Sequence, residues 1–84
     1  MAHFAQIGAD NVVLRVVVIN NSDIMKNGKE DEQTGLAFCR SLFGQNTHWV
    51  QTSYNGKFRG CYAGIGYTYN SAADIFVPPQ SAGA

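Results

Sequence analysis

An 84-residue chain with six basic and six acidic residues has no excess of charge with which to hold a nucleic-acid backbone. Charged residues make up 14% of the chain, against roughly 25% in an average soluble domain, so its surface is expected to suit contact with other proteins. A chain of this length can build one hydrophobic core but not two. We therefore expect a single domain over residues 1 to 79, followed by a mobile tail at residues 80 to 84.

Two apolar stretches near the start of the chain predict a β-hairpin. They cover residues 4 to 7 and 12 to 20, and the Gly, Asp and Asn between them favour a turn. Both faces of the second stretch are largely apolar and β-branched, which is typical of a strand in the middle of a sheet. The polar segment that follows predicts a loop, in which Ile24 and Met25 are expected to anchor the chain to the core.

A helix is predicted over residues 30 to 43, where apolar residues recur at helical spacing before a glycine. The three acidic residues Glu30, Asp31 and Glu32 suit the positive end of a helix dipole. This helix-start role is preferred to a role as metal ligands or general acids. Gly35 inside the helix indicates a close approach to the sheet.

Three further strands are predicted after the helix, at residues 47 to 54, 65 to 69 and 74 to 77. The last two are expected to form a second hairpin, which two prolines close because proline cannot donate to a β-ladder. The element order is therefore β-β-α-β-β-β. This order predicts an α+β fold, in which one amphipathic helix packs on one face of a small antiparallel sheet.

Motifs for catalysis, cofactors and metals are weak in this sequence. Residues 60 to 66 contain three glycines, but a dinucleotide fingerprint needs a following helix and an aromatic strand is predicted there instead. Cys61 and His48 are the best candidates for a nucleophile and a base, but the sequence indicates no third residue that would orient the base. The cysteines and histidines are too scattered to predict a zinc site. We therefore expect no enzymatic activity, no cofactor and no metal.

No segment of the sequence is long and apolar enough to predict a membrane span. The longest strongly apolar run covers residues 12 to 19 and is interrupted by Arg15. The first residues lack the basic and then apolar pattern of a secretory signal. We therefore expect no membrane partner, a cytoplasmic location, and reduced thiols at Cys39 and Cys61, with Cys39 in the core.

Aromatic residues with cations among them are the feature most open to a functional interpretation. Such a mixture is typical of interface hot spots and of platforms that stack bases or sugars. Rings that build the hydrophobic core have the same composition, so both interpretations stay open. The candidate partner-binding residues are Trp49, Tyr54, Phe58, Arg59, Tyr62, Tyr67 and Tyr69.

Three segments of the sequence resemble a known family. Residues 49 to 55 read W-V-Q-T-S-Y-N, residues 58 to 70 read F-R-G-C-Y-A-G-I-G-Y-T-Y-N, and residues 74 to 79 read D-I-F-V-P-P. They resemble the W-x-x-T-S-Y-N and F-R-x-N-Y-A-G-I-G-Y-x-Y signatures of small proteins encoded by tailed bacteriophages, particularly marine cyanophages. The chain departs from the pattern at Cys61, where the family usually has Asn, and after Pro79, where many relatives continue.

The resemblance implies a structural role, since such proteins are described as uncharacterised or virion-associated. The first hypothesis is a virion component, either a capsid decoration protein or a small tail protein, that contacts other virion proteins or copies of itself. The alternative is an intracellular phage accessory factor that binds a host protein or a small ligand through residues 57 to 69. Both hypotheses expect a location in the virion or the host cytoplasm, with no nucleic-acid or membrane partner.

Overall fold

A computed structural model describes residues 2 to 79, so the tail predicted at residues 80 to 84 lies outside the described residues. The strands of the described chain pair antiparallel, in one sheet of three strands and two of two strands. The elements are β1 (Ala2–Ile7), β2 (Val13–Ile19), a 3-10 turn (Asn21–Asp23), β3 (Met25–Lys26), β4 (Lys29–Glu30), α1 (Glu32–Phe43), β5 (His48–Thr52), β6 (Thr68–Asn70) and β7 (Ile75–Val77). The predicted α+β class is confirmed.

The main sheet has the strand order β2-β1-β5, which places β1 in the centre. The prediction that β2 is a central strand is therefore wrong. Both faces of β2 are apolar because the sheet is covered on both sides, by α1 on one side and by the C-terminal segment (residues 53 to 77) on the other. Apolar residues on both faces of a strand indicate that the sheet is covered on both sides. They do not distinguish an edge strand from a central one.

The helix α1 begins at Glu32, because Glu30 pairs with Met25 in the small hairpin of β3 and β4. Asp31 is the N-cap of α1. Its carboxylate accepts hydrogen bonds from the backbone N–H of Thr34 at 2.9 Å and from the Thr34 hydroxyl at 2.8 Å. Asp31 therefore has the helix-start role that the sequence predicts, although the helix is two residues shorter at this end.

The substitution Asp31→Ala is expected to lower the melting temperature at neutral pH, because it removes the cap. The bonds from the Thr34 hydroxyl and backbone N–H hold the pKa of Asp31 below its ordinary value of 3.8. A group whose folded-state pKa is lowered stabilises the fold fully above its unfolded-state pKa and loses that effect as the pH falls through the folded-state value. The melting temperatures of the two proteins should therefore draw together as the pH falls below 3.8.

Asp31→Asn is the matched control for this experiment, since Asn caps a helix about as well as Asp but does not titrate. This variant should match the unaltered protein at neutral pH. A difference between the unaltered protein and Asp31→Ala that stays constant down to the most acidic pH would contradict the assignment.

The core between α1 and the main sheet is built around Phe4, whose side chain is fully buried. Gly35 lies directly against this ring, since a Cβ atom at residue 35 would come within 2.9 Å of the ring carbons Cε1 and Cε2. The close approach predicted at Gly35 is confirmed. Ile24 is fully buried and anchors the loop as predicted, whereas Met25 is exposed. The other buried residues of this core are Ala2, Ile19, Leu36, Cys39 and Trp49.

The C-terminal segment packs on the opposite face of the main sheet and does not extend it. Gly56, Gly60 and Gly66 have φ angles of 66°, 83° and 90°, so the chain turns repeatedly between β5 and β6. The predicted hairpin of β6 and β7 is present, but it forms a sheet of its own, which meets the chain just before β2 through a bridge between Val12 and Thr68. The C-terminal segment and the main sheet enclose a second core between them, formed by Ala5, Val13, Val50, Ala63 and Phe76.

The two cysteines have different environments, and the described chain contains no disulfide. Cys39 is fully buried, as predicted, and burial raises the pKa of its thiol to about 11. Cys61 is half-buried, and its thiol donates to the carbonyl oxygen of Phe76, with an Sγ to O distance of 3.4 Å. Both side chains therefore contribute to packing in the described structure.

Candidate functional site

Three of the seven candidate partner-binding residues pack against the two cores. Trp49 is 4% exposed, its indole N–H donates to the hydroxyl of Thr47 at 2.7 Å, and its ring lies 5.1 Å from that of Phe43. Tyr67 and Tyr69 pack against the second core, on the other side of the main sheet. Trp49 therefore lies in one layer, whereas Tyr67 and Tyr69 share the other, and the main sheet separates Trp49 from the two tyrosines.

Arg59 connects the helix, the main sheet and the C-terminal segment. Its two terminal nitrogens donate to the carboxylate of Glu32 at 2.9 Å and 3.0 Å, which is the bidentate geometry that makes such pairs strong. The same guanidinium donates to the carbonyl of Gln51 at 2.9 Å, and Glu32 accepts from the Gln51 backbone N–H at 2.9 Å. The ion pair therefore satisfies the outward-facing peptide groups of Gln51 and covers this part of the β5 edge.

The other side of Arg59 binds the turn between β6 and β7. Its Nε donates to Asp74 at 2.8 Å, and Asp74 also accepts a hydrogen bond from the Tyr69 hydroxyl. These two bonds hold the pKa of Asp74 below its ordinary value. Burial acts to lower the pKa of Arg59, but its bonds to Glu32 and Asp74 outweigh burial and raise it. Arg59 is therefore charged at neutral pH, and its guanidinium is engaged within the protein.

An exposed aromatic cluster lies at the end of the main sheet where β1 begins and β5 ends. It consists of His3, Tyr54 and Tyr62, which we call the aromatic trio. The ring centres of His3 and Tyr54 are 5.4 Å apart and stacked, and Tyr62 meets them edge-on at 5.5 Å and 5.1 Å respectively. Tyr54 is 66% exposed, whereas His3 and Tyr62 are half-buried. Burial lowers the pKa of His3, so the imidazole in this cluster is neutral at pH 7.

Hydrogen bonds from β5 hold the loop that carries Tyr62. The hydroxyl of Thr52, which is buried, accepts from the backbone N–H of Ala63 at 2.9 Å. The hydroxyl of Ser53 accepts from the backbone N–H of Lys57 at 3.0 Å, and this bond closes the turn after β5. The trio is therefore positioned by buried polar contacts rather than by ring packing alone.

A cleft of about 300 Å³ lies beside the aromatic trio. Phe58, which is 42% exposed, stands on its rim with the cation of Lys57 nearby in the chain, and Glu30 supplies a carboxylate. Its other lining residues are Ala2, His3, Gln51, Thr52, Ser53, Tyr54 and Asn55. Of the candidate residues, Tyr54 and Phe58 line the cleft and Tyr62 supports it through Tyr54.

Sequence reasoning missed two residues that matter at this site. The sequence predicts a first strand over residues 4 to 7, but β1 begins at Ala2 and so includes His3, which stacks on Tyr54. Glu32 was interpreted as a helix-start residue, but its carboxylate receives Arg59 and Gln51. His3 directly precedes the apolar stretch at residues 4 to 7, so an earlier start of that strand would include it, whereas nothing local to Glu32 indicates a partner 27 residues away.

Residues 2 to 79 contain no group of three His, Cys, Asp or Glu side chains placed to hold a metal ion. Nor does this part of the chain contain a helix with the length and hydropathy that a membrane span requires. The fold and the trio define a small α+β protein with an exposed aromatic surface. Comparisons with protein-family models, with curated proteins and with solved structures found no match to the chain.

Proposed function

We propose that the protein is a structural or accessory component of a phage virion that acts by contact with other proteins. The observation that carries the proposal is the aromatic trio, with Tyr54 66% exposed and Phe58 beside it 42% exposed. Rings that are already held in place lose little conformational entropy on binding, which is one reason why aromatic residues dominate interface hot spots. The resemblance to small phage proteins at residues 49 to 55 and 58 to 79 supports the same role.

The role proposed is that of a capsid decoration protein or a small tail protein. Both kinds of protein bind a lattice in which one contact is repeated many times, so a contact that is weak in isolation is multiplied. The chain has equal numbers of acidic and basic residues, so copies placed side by side would not repel one another strongly. The partners would be other virion proteins or further copies of the same chain.

Mass spectrometry of purified particles tests this proposal. The protein should be present in many copies per particle, and Tyr54→Ala should lower the copy number at least about tenfold, because loss of a hot-spot ring costs more than about 1.4 kcal/mol. Leu42→Ala is the matched control, since Leu42 is 56% exposed but lies on α1, on the other side of the main sheet. A protein that is abundant in infected lysate and missing from particles would contradict the proposal.

A second candidate function is an intracellular phage accessory factor that binds a host protein or a small ligand in the host cytoplasm. The cleft beside the trio favours it, because a concave site with aromatic rings and a few polar groups is typical of ligand binding. Lys57 and Phe58 carry this role within the segment 57 to 69. Recovery of one host partner by the unaltered protein and by Leu42→Ala, but not by Tyr54→Ala or Lys57→Ala, would support it. Equal recovery by all four would count against it.

A further inference from the structure

The two edges of the main sheet differ in how their peptide groups are satisfied. On β5, the peptide groups of Gln51 bind Glu32 and Arg59. On β2, the N–H of Val13 donates to the carbonyl of Tyr67 at 2.7 Å, and the carbonyl of Val13 accepts from Gly66 at 2.9 Å. Within the described chain, no strand pairs with the outer edge of β2 beyond this point.

The register of the sheet shows which peptide groups of β2 point outwards. Phe4 of β1 is opposite both Gln51 and Val17. Since the peptide groups of Gln51 point away from β1, those of Phe4 must bond to Val17 on the other side. Alternate residues of an antiparallel strand bond to alternate sides, so the N–H and C=O groups of Val16 and Val18 point away from β1.

No charged or proline side chain protects the edge beyond Arg15. Natural edge strands are usually blunted by charged side chains, proline or β-bulges, whereas residues 14 to 20 read L-R-V-V-V-I-N, with a bulge at Leu14 and one charge. The charged residue among them, Arg15, places its guanidinium 4.9 Å from the ring centre of Phe43, at the end of α1. Leu14 is 53% exposed and Val18 is 54% exposed. The edge is therefore apolar, β-branched and open to an extended strand.

We propose that β2 pairs antiparallel with β2 of a second copy of this chain, so that two main sheets join into one sheet about a two-fold axis. The regular open edge runs from Arg15, after the bulge at Leu14, to Ile19 at the end of β2, and its midpoint is Val17. Pairing centred on Val17 places Val16 opposite Val18 of the second copy, and the outward peptide groups of both then bond across the axis. A register shifted towards the start of β2 would meet residues 66 to 69, which already occupy that part of the edge.

Charge and side-chain packing favour a second copy as the occupant. In this register Arg15 lies opposite Ile19 of the second copy, so the two arginines are not opposite each other and like charges do not repel directly. Val17 lies opposite Val17 of the second copy, and β-branched pairs of this kind stabilise a sheet. The open edge of β2 therefore matches the same edge of a second chain in length, in the positions of its free peptide groups and in apolar character.

The pairing deepens the proposed function, because it rests on the self-contact suggested there and identifies the surface that makes it. Val18 is also the cross-strand neighbour of His3, so both aromatic trios would lie on one face of the joined sheet. We expect an interface made by one short strand to be smaller than the roughly 800 Å² per partner of a standard interface, with a dissociation constant on the order of 10 to 100 µM. This affinity is measured on purified protein, so its failure is distinguishable from absence of the protein from particles.

Sedimentation equilibrium of purified protein over a range of concentrations tests the pairing. The unaltered protein should dimerise, and Val18→Lys should weaken dimerisation at least about tenfold, because it places a charge at the contact. Val18→Thr keeps a β-branched, uncharged side chain and should dimerise within about threefold of the unaltered protein. Circular dichroism melts check that both variants fold. A protein that is monomeric at about 1 mM, or a dimer that Val18→Lys leaves unchanged, would overturn the inference.

Cysteine cross-linking tests the register, in a Cys61→Ser background. Residues opposite each other in a non-hydrogen-bonded antiparallel pair have Cα atoms about 4.5 Å apart, which permits a disulfide. Val17→Cys should therefore give a covalent dimer under mild oxidation. Val18→Cys is the control, because residue 18 faces residue 16 of the second copy and not its own counterpart. A cross-link with Val18→Cys that is as fast as with Val17→Cys, or none with Val17→Cys, would overturn pairing centred on Val17.

Discussion

The substitution Gly35→Ala is expected to destabilise the protein by about 2 to 3 kcal/mol, although alanine is normally the better helix former by about 1 kcal/mol. A methyl group at residue 35 would overlap the ring of Phe4, which is fully buried between α1 and the main sheet. Either the ring or the helix must move, and both are held by the core around them. Urea denaturation of the two proteins measures the change in the free energy of unfolding.

The controls for Gly35→Ala separate overlap from helix propensity. Gln33→Ala, at an exposed position of the same helix, should change the free energy of unfolding by less than about 0.5 kcal/mol. Phe4→Leu makes room beside residue 35, so Gly35→Ala should cost at least about 1 kcal/mol less in that background. A stabilising effect of Gly35→Ala in the unaltered protein would show that the close packing of α1 on β1 is incorrect.

Arg59→Ala is expected to destabilise the protein by about 2 kcal/mol. The substitution leaves the carboxylate of Glu32 without its cation and the carbonyl of Gln51 without a donor, and the side chains of Arg59 and Glu32 are only 18% and 28% exposed. It also releases the turn at Asp74. Because three parts of the fold meet at this guanidinium, the loss should appear in the free energy of unfolding measured with urea.

Two further variants test whether geometry or charge matters at residue 59. Arg59→Lys keeps the charge but lacks the planar fork that binds Glu32 at two points, so an intermediate loss is expected. Lys57→Ala removes an exposed cation two residues away and should change stability by less than about 0.5 kcal/mol. If Arg59→Ala were as mild as Lys57→Ala, the ion pair would have no structural importance.

The candidate surface was predicted in part, and the part that was missed involves contacts between distant residues. Aromatic residues with nearby cations are typical of interfaces, and this pattern predicts Tyr54, Phe58 and Tyr62 as partner-binding residues. The same pattern predicts Trp49, but its ring packs in the core. Composition cannot separate these cases, because a ring has the same chemistry on a surface and in a core.

His3 joins the surface because β1 lies between β2 and β5, which brings residue 3 beside residues 52 to 54. The order of strands in a sheet is set by which faces and edges pack together, and the sequence of β1 does not specify it. Arg59 and Glu32 are likewise separated by 27 residues, and their contact depends on how the loop after β5 turns back over the edge of the sheet.

The sequence by itself determined the α+β class, the approximate positions of the helix and the strands, the anchor at Ile24 and the close approach at Gly35. These features depend on local periodicity, turn residues and residue size, which neighbouring positions in the chain specify directly. The tertiary structure alone decided that β2 lies at an edge, that the C-terminal segment forms a second layer, and that an aromatic trio and an open strand edge face outwards. Those features depend on which surfaces are left uncovered after packing, and that outcome depends on the whole chain at once.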